Sequence, residues 1–186
     1  METESIKMKT VKAIFIFIVV LYGALVNHAA KAQEIGTLNK EAMAKLSNWI
    51  GHWEGEGWSM DESRQKAEFT VVENIQKKID GMAILAEGIG TNKSDGKVGF
   101  QSLGTLYYNN ENKRYELKSL LADGNMVLAT AQLNDKGQFI WGFDVPGGSI
   151  QYTTTLKGDT WHEKGEFIMA NGQAFTVLEM NLTKLK

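Results

Sequence analysis

The chain lacks cysteine altogether and has a single proline, Pro146, among its 186 residues. Missing thiols exclude a disulfide-stapled scaffold and a Cys-ligated zinc module, so packing and backbone pairing must hold the fold. An excess of either charge is also lacking: 20 Lys+Arg stand against 22 Asp+Glu, and no basic cluster exceeds two adjacent residues. A nucleic-acid binder needs a concentrated basic surface to displace phosphate counterions, so nucleic acid is excluded as a partner. Hydrophobic residues make up 43% of the chain, which excludes disordered and collagen-like classes. Long hydrophobic runs are scarce too. The longest, Ala13 to Val26, has 14 residues, whereas a membrane-spanning helix needs about 20.

That run follows Lys7, Lys9 and Lys12 and precedes Ala30-Lys31-Ala32. A basic stretch, a short apolar stretch and a small-x-small site form the pattern of a cleavable secretory signal. Residues 1–32 are therefore expected to be removed near Ala32, releasing a secreted or periplasmic domain, residues 33–186, with no membrane span. No cysteine follows the apolar run, so a cysteine-linked lipid anchor is chemically unavailable. The remaining 154 residues carry 16 basic and 20 acidic side chains. A chain of that length buries roughly 68–70% of its unfolded surface without staples.

Asn39 is placed to cap a helix over residues 40–50. Ala42, Met43, Leu46, Trp49 and Ile50 share one apolar face, and Gly51 supplies the stop. Beyond Gly51 the period changes to short alternating runs rich in aromatic and β-branched residues. Strands are expected near 53–60, 67–76, 82–91, 99–108, 114–121, 125–133, 138–144, 149–157, 160–169 and 173–184. Their connectors, such as Asp80-Gly81, Asp123-Gly124, Asp135-Lys136-Gly137, Gly158-Asp159 and Asn171-Gly172, supply the positive φ that tight hairpins need. Consecutive hairpins of this kind predict an all-β, antiparallel up-and-down barrel of about ten strands, with the N-terminal helix as plug or lid. Closure removes both sheet edges. An open two-sheet sandwich is the alternative.

Alternation assigns side chains to faces. Tyr115, Leu117, Ser119 and Leu121 form one inward row, Phe139, Trp141 and Phe143 another, and Ile150 with Tyr152 a third. Trp161 shares its face with Glu163, Gly165 and Phe167. Such rows either fill a barrel or line a ligand cavity, and ten strands enclose more space than the eight that side chains readily fill. The candidate ligand-binding residues are Trp58, Tyr115, Leu117, Phe139, Trp141, Phe143, Tyr152 and Trp161. Glu54 and Glu56 lie opposite Trp53 and read as solvent-facing, as does His162, which alternates with Trp161. Glu179 shares a face with Phe175 and Val177. The opposite parity, Leu178, Met180 and Leu182, is the more apolar and puts Glu179 outside.

The segment Trp49-Ile50-Gly51-His52-Trp53-Glu54-Gly55-Glu56-Gly57-Trp58 resembles the opening of lipocalin-like barrels. It is most similar to the secreted proteins grouped as domain of unknown function 1579, and more distantly to nitrobindin-type (calycin) haem barrels. Thr160-Trp161-His162-Glu163-Lys164-Gly165-Glu166-Phe167 agrees with the same family. The resemblance implies that Trp53, in Gly51-x-Trp53, packs across the closed end of the barrel beside the helix. Gly55 and Gly57 fit a first strand that bends at a barrel corner. The haem-barrel likeness further implies an iron ligand, a histidine, on the last strand. Ala174 to Leu182 contains none, with Glu179 standing about where it would be, so haem is a possible cofactor but not the favoured one; Met169 and Met180 are weak substitutes.

Other chemistry has little support. Asn92-x-Ser94-x-Gly96 lacks the acidic spacing of a calcium loop, and His52 and His162 stand in no nucleophile motif. The expected function is non-enzymatic binding of a small apolar or amphipathic ligand. Two alternatives remain: an enzyme using an interior Glu or His, and a filled barrel acting as a structural or interaction module. A cavity of about 300 Å³ or more separates a binder from a filled barrel.

Overall fold

Gly51, where the sequence period changes, is also where strand begins. The computed structural model describes residues 36–61 and 63–186, and the predicted signal segment lies outside them. A compact unit, Asn39–Lys186, holds ten strands: β1 (Gly51–Met60), β2 (Lys66–Lys78), β3 (Ala83–Asn92), β4 (Val98–Asn109), β5 (Arg114–Leu121), β6 (Met126–Leu133), β7 (Phe139–Val145), β8 (Gly148–Lys157), β9 (Thr160–Met169) and β10 (Ala174–Lys184). Each pairs antiparallel with the next, and β10 returns to pair with β1 from Trp53↔Lys184 to Ser59↔Leu178. That last ladder closes the barrel and excludes the sandwich. Every strand begins and ends within two residues of its expected limits, because turn glycines such as Gly124 and Gly172, both at φ 85°, mark the boundaries in the sequence.

Closure makes demands on β1. A Cβ at Gly55 would run into the backbone oxygen of Asn181, and one at Gly57 into that of Glu179. The two backbones approach too closely for any side chain there, which is the physical reason for the alternating glycines. On the other side of β10, the register with β9 shifts between Thr176 and Leu178. This bulge lets Phe175, opposite Phe167, and Leu178, opposite Gly165, both follow the inward row of β9.

The helical segment departs from expectation. Residues 36–44 are helical, so Asn39 lies inside the helix and does not cap it. The last residues of the predicted helix form a separate 3-10 turn, Ser47–Trp49. Hydrogen bonds shorten from Lys45 N to Ala42 O and from Leu46 N to Met43 O, ahead of Ser47 and Asn48, whose side chains favour turns over helix interiors. The tightening turns Trp49 toward the barrel. Ala42, Met43, Leu46 and Trp49 join Trp53, Tyr115, Phe139 and Trp161 in one buried core. Trp53 is 0% exposed and donates from Nε1 to the Trp49 carbonyl at 2.8 Å. The Tyr115 hydroxyl donates to the Ala42 carbonyl at 2.7 Å. Trp49 meets Phe139 edge-on at 4.9 Å. The helix is therefore a plug that closes one end of the barrel.

Candidate functional site

Beyond the plug the barrel is hollow. β5 runs from Tyr115, beneath the helix, to Leu121, and a cavity of about 470 Å³ runs with it. Trp49, Phe139 and Trp161 form the floor nearest the helix, and Phe100, Leu121 and Phe143 line the far part. The inward parity of each strand supplies the wall: Phe69, Val71, Glu73 and Ile75 from β2, Leu117, Ser119 and Leu121 from β5, and Leu178 and Met180 from β10.

Six of the eight candidate residues line this space: Leu117, Phe139, Trp141, Phe143, Tyr152 and Trp161. Trp141 and Tyr152, opposite each other in the β7–β8 ladder, stack at 4.0 Å and 13°. The Tyr152 ring lies over Gly165, where a Cβ would stand 2.7 Å from Cε1. Tyr115 points inward but does not reach the cavity. It belongs to the plugged end, where burial pushes its hydroxyl pKa up to about 12. Trp58 does not face the interior at all. It shares parity with Glu54 and Glu56, and Lys66 Nζ sits 3.6 Å from its ring centroid on the outer face. Alternation from Trp53 decides the side of Trp58, and its aromatic character does not.

Two carboxyl groups stand in the apolar wall. Glu163, on β9 between Trp161 and Gly165, is 5% exposed. The Thr154 hydroxyl donates to its Oε2, and Trp141 Nε1 lies at 3.5 Å from the same oxygen. Burial raises its pKa above the usual carboxylate range, and the Thr154 hydrogen bond partly opposes the rise. Glu73, on β2, lies between Trp53 of β1 and Gly88 of β3. A Cβ at Gly88 would stand 2.6 Å from Glu73 Oε1, so that glycine makes the room this carboxyl occupies. Among the described residues Glu73 has no hydrogen-bond partner. Burial first, and the neighbouring charge of Glu163 second, push its pKa up to about 8. The other polar groups on the wall are Ser59, Asn92, Ser102, Ser119 and Tyr152; among the described residues no Lys, Arg or His lines it. Glu163 was visible in the sequence through its parity with Trp161. Glu73 was missed, although Phe69-x-Val71-x-Glu73-x-Ile75 places it on an apolar face.

Both histidines of the barrel lie on the outer face. His52 Nε2 is 3.2 Å from Glu54 Oε1, and His162 Nε2 is 3.0 Å from Glu179 Oε1. In β10 Leu178 and Met180 face the cavity and Glu179 faces out. The residues present therefore do not fit a histidine-held haem. Among the described residues no group of three or more His, Asp or Glu is placed to hold a metal ion.

This barrel recurs in solved structures. The chain is similar to Rv2717c from M. tuberculosis, with a TM-score of 0.63 and 13% identity over 78% of this chain and 98% of that one. It is similar also to the S-type phycobiliprotein lyase CPES from Guillardia theta, with a TM-score of 0.57 and 11% identity over 78% of this chain and 93% of that one. At such identities the likeness shows the fold, a closed antiparallel barrel, and nothing about chemistry. No family model and no curated protein matches the sequence.

Proposed function

We propose that the chain is an exported, non-enzymatic binder that takes a small apolar or amphipathic molecule into its barrel. The hollow interior carries this reading. Its volume of about 470 Å³ falls within the roughly 300–1,000 Å³ typical of small-molecule sites, which are mostly apolar with a few placed polar groups. A filled barrel acting only as a structural module would not keep that space. The basic, apolar and small-x-small pattern before Gln33 supports export, and the resemblance to secreted proteins of domain of unknown function 1579 agrees with it. One feature favours a second reading, catalysis: burial pushes the Glu73 pKa up to about 8, toward the range a general base needs. Against it, no nucleophile is hydrogen-bonded to Glu73. The test is native mass spectrometry of the protein purified from its own source. The expected result is an adduct of a few hundred daltons that dissociates on denaturation. A bare mass, with no uptake of added apolar compounds, would overturn the reading.

A further inference from the structure

A buried polar group without a partner calls for an explanation, since in native folds such groups are nearly always satisfied by protein, water or ligand. Glu73 comes close to this condition: it is half-buried, its carboxyl faces the cavity, and among the described residues no side chain hydrogen-bonds to it. The barrel shapes a place for it over Gly88, directs it into the cavity, and gives it no donor. Glu163 differs, because Thr154 and Trp141 already attend its Oε2. Around both lies mostly apolar wall, and among the described residues no cationic side chain lines it. The space thus offers two acidic groups, on β2 and β9, in a wall whose other polar side chains are neutral.

We propose that the cavity's ligand is an amphiphile whose polar end is a protonated amine, seated on the Glu73 carboxyl with Glu163 as a second acidic group facing the same space. This rests on the ligand-binding reading above. An anionic head would find no cation in the wall among the described residues, and would meet a like charge whenever either carboxyl ionises. A purely apolar ligand would leave the Glu73 carboxyl desolvated and unpaired, which opposes binding. An ammonium supplies three donors and the opposite charge, so it satisfies the Glu73 carboxyl as an apolar or anionic group does not. Trp141, stacked on Tyr152 beside Glu163, adds an aromatic face that a cation favours.

The proton balance follows from the empty site. Glu73, with its pKa pushed up to about 8, is mostly protonated at pH 7. When an alkylammonium enters, the Glu73 O–H proton passes to solvent and a carboxylate–ammonium pair remains, so about one proton is released per amine bound. The other titratable groups facing the cavity are Glu163 on β9 and Tyr152 on β8. Tyr152 stays protonated, its pKa raised to about 12 by burial first and by Glu163 second. The strands flanking Glu73 place Trp53 and Gly88 beside it, and neither titrates.

The test compares octylamine, 1-octanol and octanoate by tryptophan fluorescence on the purified protein at pH 7, with calorimetry in two buffers of different ionisation enthalpy. Octylamine is expected to bind at least about tenfold more tightly than octanol, with octanoate weakest and proton release accompanying only the amine. Glu73→Gln, of nearly the same shape, should bring octylamine to within about twofold of octanol and abolish the proton release. Equal binding of amine and alcohol, or tightest binding of octanoate, overturns this inference and leaves the ligand-binding function standing. Binding of none of the three overturns both. Should Glu73→Gln fail to fold, proton release by the unaltered protein decides: its absence on amine binding refutes the pairing.

Discussion

Replacing Glu73 by Gln should make the protein more stable in alkali and leave it unchanged in acid. In the folded state burial and the Glu163 charge push the Glu73 pKa from 4.5 up to about 8, while in the unfolded chain the group titrates at its ordinary value. Between those limits the folded state holds a proton that the unfolded state has lost, so stability falls as pH rises and levels off above about pH 8. One proton over that interval, at about 1.4 kcal/mol per pH unit, sets a ceiling of roughly 5 kcal/mol. Water entering the cavity lowers the figure toward about 2–3 kcal/mol, because an effectively higher dielectric reduces the cost of the charge. Glutamine keeps the shape and never ionises. Urea unfolding of both proteins, without ligand, at pH 5 and pH 8.5 measures the effect. The difference between them should be small at pH 5 and reach about 2–5 kcal/mol in favour of the variant at pH 8.5. The Glu179 carboxyl on the outer face, held below its ordinary pKa chiefly by its hydrogen bond with His162, is common to both proteins and cancels. Equal differences at the two pH values would refute the claim that Glu73 is buried as an acid.

Three further substitutions probe the frame. Trp53→Phe removes the donor to the Trp49 carbonyl and leaves a gap in the plug, which should cost about 2–4 kcal/mol in chemical denaturation. Gly55→Ala places a Cβ against the Asn181 backbone at the β1–β10 closure, where relief requires backbone movement; a loss of about 3 kcal/mol or failure to fold is expected. Trp58→Ala should leave ligand affinity within about twofold and cost stability about 1 kcal/mol, because its half-buried ring lies on the outer face against Lys66 and does not line the cavity.

The strands were legible in the sequence because each ends in residues with a local job: Asp-Gly, Asn-Gly and related turns stop the alternation within a residue or two of the true limits. Barrel closure was legible only as an economy of edges, since the β1–β10 ladder joins segments more than a hundred residues apart. The plug was read correctly as a place but not as a conformation. Ser47 and Asn48 divert the helix into a 3-10 turn, and tertiary contacts of Trp49 outweigh the regular apolar period there. Inside the barrel, parity was the reliable guide. It placed Trp141, Tyr152, Trp161 and Glu163 correctly and would have placed Trp58 outside, had its row with Glu54 and Glu56 been given more weight than its ring. Glu73 was hidden by its residue type: a glutamate in a strand ordinarily faces water, and only Gly88, on the next strand, shows that the fold reserves space for it within the wall.

The central claim is that the space within the barrel holds a ligand. It is tested most directly by titrating a neutral apolar dye such as N-phenyl-1-naphthylamine into the unaltered protein and into Ser119→Phe, which places a ring into the cavity from a half-buried wall position. Saturable binding at a single site is expected in the first, and a loss of about tenfold or more in affinity in the second, with an unchanged melting temperature. No saturable binding, or equal binding by the two proteins, would contradict it.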